Sequence, residues 1–169
     1  MGCISCQKDK ALLKCGLCES DVCKYCAQIL PEGSFSFIPN APDHLKHSVY
    51  CGYCFDGQIA DAWNDYQKTM EQARNIQVFL SHQGKETRLI KRKEKPFQVV
   101  DCLDHDETLM RLAFQAVKAG FNALVDVDLT SKKVRINGYQ TQIWSGRGTP
   151  VNITARDQVR DRSIWHNPN

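Results

Sequence analysis

Apolar residues recur with a helical period between positions 56 and 74, where Ile59, Trp63, Tyr66, Met70 and Ala73 are spaced by 4, 3, 4 and 3 residues and fall on one face. The stripe predicts an amphipathic connecting helix, with Asp56 as its N-cap. It covers only about two heptads, short of the three or four that a coiled coil needs. It is therefore expected to dock on a neighbouring domain, against the second of two cysteine sites that lie before it. Beyond it the pattern becomes strand-like over residues 75–81, 87–92 and 97–102, with His82, Gly84 and Glu86 in the link between the first two. Leu109, Leu112, Ala113, Ala116 and Val117 then return to helical spacing, and Gly120 ends the run. Residues 123–129 alternate as a strand, residues 134–137 lead into the hairpin signal Asn137-Gly138, and residues 139–145 form the return strand. Gly146-Arg147-Gly148 opens no helix and reads as a turn. The fold class expected here is α+β, one helix packed on a small, largely antiparallel sheet.

The first third has no such rhythm. Three prolines, Pro31, Pro39 and Pro42, exclude a helix over residues 31–42, and Phe35 to Ile38 alternates as one short strand or an excursion. What organises this segment is cysteine: the pairs Cys3/Cys6, Cys15/Cys18, Cys23/Cys26 and Cys51/Cys54 all read C-x-x-C. A two-residue spacing lets both sulfurs reach one ion through a tight turn, and eight thiolates complete two tetrahedral zinc sites. Sites closed by four sulfurs leave no position for water or substrate, so two structural Zn2+ ions are expected and no metal catalysis. Disulfides are the competing use of an even cysteine count. Met1 to Cys6 shows no basic start followed by an apolar run, which favours a reducing, cytoplasmic setting and metal over disulfides. Iron is the residual alternative as the metal.

The pairs are separated by eight, four and twenty-four residues. The four-residue link Glu19-Ser20-Asp21-Val22 is typical of an interleaved arrangement, with Cys3, Cys6, Cys23 and Cys26 on one ion and Cys15, Cys18, Cys51 and Cys54 on the other. Sequential pairing, 3/6/15/18 and 23/26/51/54, stays open as the alternative. His44 and His47 lie in the long gap and read as a solvated loop, because the cysteines already saturate two ions.

This spacing resembles the FYVE/PHD/RING superfamily of cross-braced double-zinc fingers over about residues 1–58, closest to FYVE in its all-cysteine ligands and four-residue gap. Val49-Tyr50-Cys51 stands where a FYVE domain has its Arg-Val-Cys strand. The resemblance implies that all eight cysteines are zinc ligands. A FYVE domain adds a basic run beside its cysteine pairs for phosphoinositide recognition, whereas the link ahead of Cys23 is acidic here. The histidines and tryptophan of the PHD and RING patterns are absent from the matching positions. Residues 1–58 hold five lysines, no arginine and six acids, a balance of −1. Eight thiolates and two divalent ions take that to about −5, a surface that does not attract phosphates. Further along, Gly120-Phe121-Asn122-Ala123 and Gly146 to Val151 resemble the YbjQ-like family, which implies an α+β fold, frequent homo-oligomers and no established catalytic chemistry.

The chain is thus expected to hold a FYVE-like finger over residues 1–55, a connecting helix over 56–74, a YbjQ-like α+β domain over 75–153 and a polar tail over 154–169. Asp101 to Asp106 reads as a helix cap and a strand end, with Asp104 or Asp106 as the cap, and no Ser-His-Asp or Cys-His set emerges. The expected function is non-enzymatic: a zinc-binding adaptor whose finger presents a surface for protein–protein interaction with an unidentified partner. The alternatives are phosphoinositide membrane recruitment and nucleic-acid binding. The second is suggested by Lys85, Arg88, Lys91, Arg92, Lys93, Lys95, Arg147, Arg156, Arg160 and Arg162.

Overall fold

The computed structural model describes residues 2–8, 10–154 and 157. The chain divides into two compact units, residues 1–68 and 69–169.

Regular strands in the first unit are only two residues long. β1 (Leu13–Lys14) pairs antiparallel with β2 (Asp21–Val22), and β3 (Gln28–Ile29) pairs antiparallel with β4 (Val49–Tyr50). Isolated ladders of two rungs are too short to stand alone in water. The apolar core is also small: Val22, Leu30, Phe35, Leu45, Tyr50 and Ile59 are buried together with Cys3, Cys15, Cys23 and Cys51. Residues 31–42 make turns, so the excursion and not the strand describes them. Phe35 takes a left-handed φ of 65°, which directs its ring onto Trp63 and Tyr66 at centroid distances of 5.5 and 5.2 Å. A short 3-10 turn (Asp43–Leu45) follows, tied down by the Tyr50 hydroxyl donating to the His44 carbonyl at 2.9 Å.

Helix begins four residues earlier than the apolar stripe suggests. α1 (Gly52–Cys54) continues through a π turn (Phe55–Ile59) into α2 (Ala60–Asn75), and Cys51 occupies the N-cap position expected of Asp56. The cause is local: the Phe55 N–H bonds to the Cys51 carbonyl at 2.9 Å, so the fourth cysteine pair forms the first helical turn. The stripe itself is real, with Ile59, Tyr66 and Ala73 buried and Trp63 and Met70 half-buried. The boundary between the two units falls within α2.

The second unit is a four-stranded sheet in the order β5-β7-β8-β6, where β5 is Gln77–Leu80, β6 Phe97–Cys102, β7 Ala123–Ile136 and β8 Tyr139–Val151. β5 and β7 run parallel, and the other neighbours are antiparallel. A 3-10 turn (Ser81–Gln83) and α3 (Gly84–Thr87) follow β5. The single long helix, α4 (His105–Lys118), starts at Asp104, whose carboxylate accepts the Glu107 N–H at 2.7 Å; it ends before Gly120, at φ 86°. Its buried side, Thr108, Leu112, Ala113 and Ala116, lies on one face of the sheet.

Three expectations need correction here. Residues 87–92 are not a strand. They end α3 and turn, with Ile90 and Phe79 packed on Ala123, Val125, Val151 and Ile153, so the segment covers a patch that would otherwise be bare. β7 does not break after Leu129 but runs to Ile136, bent by a bulge near Asp126, which has φ 52°. Gly146-Arg147-Gly148 is no turn; it lies inside β8. A Cβ on Gly146 would meet Leu129 Cδ2 and Thr108 Cγ2 at 2.7 Å and Leu112 Cδ1 at 3.1 Å, so glycine is there because α4 crosses the strand closely. The Asn137-Gly138 turn stands as read, with φ values of 50° and 84° that suit a tight hairpin. Arg156, Arg160, Arg162 and most of the tail lie outside the described residues.

Candidate metal centres

All four cysteine pairs build the same turn. In each, the backbone N–H four residues after the first cysteine bonds to that cysteine's carbonyl: Gln7 to Cys3 at 2.7 Å, Glu19 to Cys15, Ala27 to Cys23 and Phe55 to Cys51 at 2.9 Å. Gln7 and Glu19 leave their turns in left-handed backbone, φ 57° and 58°. The first cysteine of every pair is buried, while Cys6, Cys26 and Cys54 are half-buried and Cys18 is exposed.

Strand pairing decides which turns meet. After Cys18 the chain reverses through Glu19 and Ser20, and β2 runs back beside β1 with Lys14 opposite Asp21 and Leu13 opposite Val22. The Cys15 N–H bonds to the Ser20 carbonyl at 3.0 Å at the closed end of this hairpin. Cys23, the residue after β2, is therefore carried to the open end, about 10 Å along the strand direction from Cys15. There the Ile4 N–H bonds to the Asp21 carbonyl at 2.9 Å and brings the first turn alongside. At the other end the Gly16 N–H bonds to the Val49 carbonyl at 2.9 Å, which fixes β4 and the following Cys51 next to the second turn.

Two groups of four sulfurs result: Cys3, Cys6, Cys23 and Cys26, and Cys15, Cys18, Cys51 and Cys54, with all Sγ atoms of a group within 4.8 Å of one another. The sequence reading that joins first to third and second to fourth pairs matches this grouping, and the sequential alternative does not. A tetrahedron with metal–sulfur bonds of about 2.3 Å has S···S edges of about 3.8 Å. Cys6 to Cys23 and Cys18 to Cys51 are each 3.8 Å apart, one in each group, well beyond the ~2.05 Å of a disulfide. Each group has the donor number, spacing and softness to hold one metal ion. His44 and His47 belong to neither group. His47 instead packs on the second turn, its ring 6.3 Å from that of Tyr50.

Electrostatics within each group are those of crowded thiols facing backbone donors. N–H groups of Cys23 and Cys6 bring the Cys3 thiol down to about 6, and the Ser20 hydroxyl and N–H bring Cys18 to about 6. Burial opposes ionisation of Cys15 and Cys23, but the N–H groups aimed at each sulfur outweigh it and both are lowered. Their neighbours are driven the other way. Hydrogen bonding to Cys23 and Cys6 pushes Cys26 up to about 12, while burial, together with nearby thiols, raises Cys51 and Cys54. Four thiolates this close repel one another, and a divalent cation is what allows all four to ionise together.

Among the described residues, no further group of three or more metal-ligating side chains comes together, and what the surface offers besides is concavities. One of about 530 Å³ lies in the second unit between Glu71, Asn75, Val117, Phe121 and Asn122, and brings together amides, apolar groups and one carboxylate. Cys102 is buried in β6, with its sulfhydryl 3.7 Å from the Val100 carbonyl. Among the described residues, no helix is long and apolar enough to cross a membrane. Comparison with protein-family models, with curated proteins and with solved structures found no match.

Proposed function

We propose that residues 1–55 are a FYVE-like, cross-braced double-zinc finger, joined through a helix to a YbjQ-like α+β domain, and that the protein is a non-enzymatic, cytoplasmic adaptor. The observation that carries the reading is the alternation of the two four-sulfur groups along the chain, first pair with third and second with fourth. A module with two-residue strands and a small apolar core needs such ions to fold, and each contributes on the order of 10–16 kcal/mol. Four sulfurs per ion leave no ligand position for substrate, so the ions serve shape.

What the shape presents is apolar. Leu12, Tyr25, Ile29 and Tyr53 are exposed on the first unit at 89, 85, 58 and 76%, and Tyr25 and Tyr53 are the middle residues of the third and fourth cysteine turns. Aromatic side chains held on rigid turns bury large area at low entropic cost, which suits a protein partner. The acidic balance of the segment argues against a phosphoinositide headgroup as the ligand.

The test has two parts. Native mass spectrometry of the reduced full chain should find two zinc ions, with Cys26→Ser weakening one and Cys54→Ser the other; absence of bound metal would sink the reading. Tyr25→Ala/Tyr53→Ala should keep both ions and lose the protein partner recovered by cross-linking. Retained capture by that variant would move the binding surface elsewhere. Phosphoinositide vesicles that sediment the protein would favour membrane recruitment instead.

A further inference from the structure

The β7–β8 hairpin outgrows its sheet. β5 pairs with β7 only as far as Val127, and β6 pairs with β8 only from Trp144 onward. Lys132 to Ile136 on one strand and Tyr139 to Ile143 on the other therefore continue as a two-stranded ribbon with no further strand on either edge among the described residues, about 17 Å long at five residues per strand. A bare ribbon with two open edges is a feature that folded proteins usually cover or use.

Its two faces differ. Ser131, Lys133 and Arg135 lie opposite Trp144, Gln142 and Gln140, so the face continuous with the α4 side of the sheet carries cations and amides. The other face pairs Lys132 with Ile143, Val134 with Thr141, and Ile136 with Tyr139 at the tip. Ile136 and Tyr139 are 52 and 80% exposed. The charge is one-sided: no acidic residue occurs between Asp128 and Asp157, against Lys132, Lys133, Arg135, Arg147 and Arg156.

From this geometry we infer that the ribbon is a nucleic-acid-binding arm that enters a groove of duplex DNA. A two-stranded ribbon is one of the two elements that the major groove admits. Lys132, Lys133 and Arg135 all lie on the β7 strand, Lys133 and Arg135 on the amide face and Lys132 on the other, so cations border the ribbon along its β7 edge for phosphate contacts, while Gln140 and Gln142 on β8 carry the paired donor and acceptor that base edges accept. Tyr139 and Ile136 supply an aromatic and apolar tip for contact with the thymine methyl groups that the major groove exposes. Charge decides for this partner over a second copy of the chain, because two such ribbons repel where a polyanion attracts both. The inference is independent of the metal centres.

The experiment is fluorescence anisotropy of a labelled duplex of mixed sequence, titrated with the zinc-loaded full chain across a salt series. Three phosphate contacts give a slope of log affinity against log salt of about −2.7, or roughly 40-fold weaker binding for a fourfold rise in salt. Replacing Lys132, Lys133 and Arg135 together by Gln should remove that part of the slope. Tyr139→Ala should weaken binding with the slope unchanged. Circular dichroism of both variants should match the parent, since all four residues are exposed. No binding at low salt would overturn the proposal, as would a slope that the triple variant leaves unaltered. Sedimentation showing a dimer that Tyr139→Ala dissolves, without any effect on DNA, would assign the ribbon to a second copy and overturn it equally.

Discussion

Arg92 and Asp126, thirty-four residues apart, share a two-pronged ion pair, Nε to Oδ2 at 2.8 Å and Nη2 to Oδ1 at 2.9 Å. The same guanidinium donates to the carbonyls of Thr87 and Ile90 and to the Thr87 hydroxyl at 2.8 Å. One side chain thus holds the turn after α3 against the bulge in β7, and keeps Ile90 over the reverse face of the sheet.

Arg92→Lys should be costly although it keeps the charge, because a single ammonium cannot serve these acceptors in a fixed fork. We expect about 1–3 kcal/mol from the lost charge-assisted hydrogen bonds, read as a lower urea midpoint. The Arg92 hydrogen bond, working against burial, holds the Asp126 carboxyl below its usual range. A carboxyl with a depressed folded pKa stabilises above its unfolded value, near 3.9, and that contribution fades as pH falls through the folded value. Asp126→Asn should therefore lower the midpoint near neutral pH and change it little in strong acid. At 40% side-chain exposure the effect is small, and a midpoint gap of equal size at both pH values would exclude the linkage.

Removing metal should unfold the first unit and spare the second. The first unit has only two-residue ladders and a small core, whereas the second has a sheet with its own helix across one face. Addition of a strong chelator under reducing conditions should abolish amide protection in residues 2–54 while β7, β8 and α4 stay protected in hydrogen exchange. Protection persisting through both segments would show that the cysteines are not what holds the first unit together.

Gly16 and His47 form a steric lock beside the second sulfur group. A Cβ on Gly16 would lie 2.4 Å from His47 Cβ and 2.3 Å from its Cγ. Gly16→Ala should cost roughly 1–3 kcal/mol by overpacking, equivalent to about tenfold or greater loss of metal at that group. His47→Ala should not rescue it, because the colliding Cβ remains, whereas His47→Gly should. Metal titration of the three variants, with the Cys3 group as the internal reference, distinguishes these outcomes.

Gly146 tests the crossing of α4 over β8. Gly146→Val should destabilise by about 1–3 kcal/mol through contact with Thr108, Leu112 and Leu129. Gly57→Ala, where nothing lies within 4 Å, should be neutral or slightly stabilising inside the helical run. The thermal midpoint should fall for Gly146→Val and not for Gly57→Ala; equal losses would contradict the close packing.

Much was legible in the residues alone. The C-x-x-C spacing marks its candidate ligands because two intervening residues are what a turn around one ion requires. The stripe from Ile59 to Ala73 and that from Leu109 to Val117 name helices because 3.6-residue periodicity belongs to few other structures. Asn137-Gly138 announces its hairpin because few residues accept positive φ twice in succession. These are local constraints, satisfied within a few neighbours, and a chain shows them without folding.

Tertiary structure decided the rest. Residues 87–92 have strand-forming side chains, yet they turn because the reverse face of the sheet needed Ile90 and because Arg92 reaches Asp126 across the chain. Gly146 and Gly148 look like a turn in sequence and are strand in space, since what crowds Gly146 is a helix and what crowds Gly148 is Val127 on the adjacent strand, neither of them placed by a neighbouring residue. The partners of each cysteine pair were set by which strands lie side by side, β1 on β2 and β3 on β4. The sequence determined which eight sulfurs could serve a metal and where each turn would form; only long-range pairing, whose energy depends on residues far apart in the chain, decided which sulfurs meet and left the β7–β8 ribbon bare.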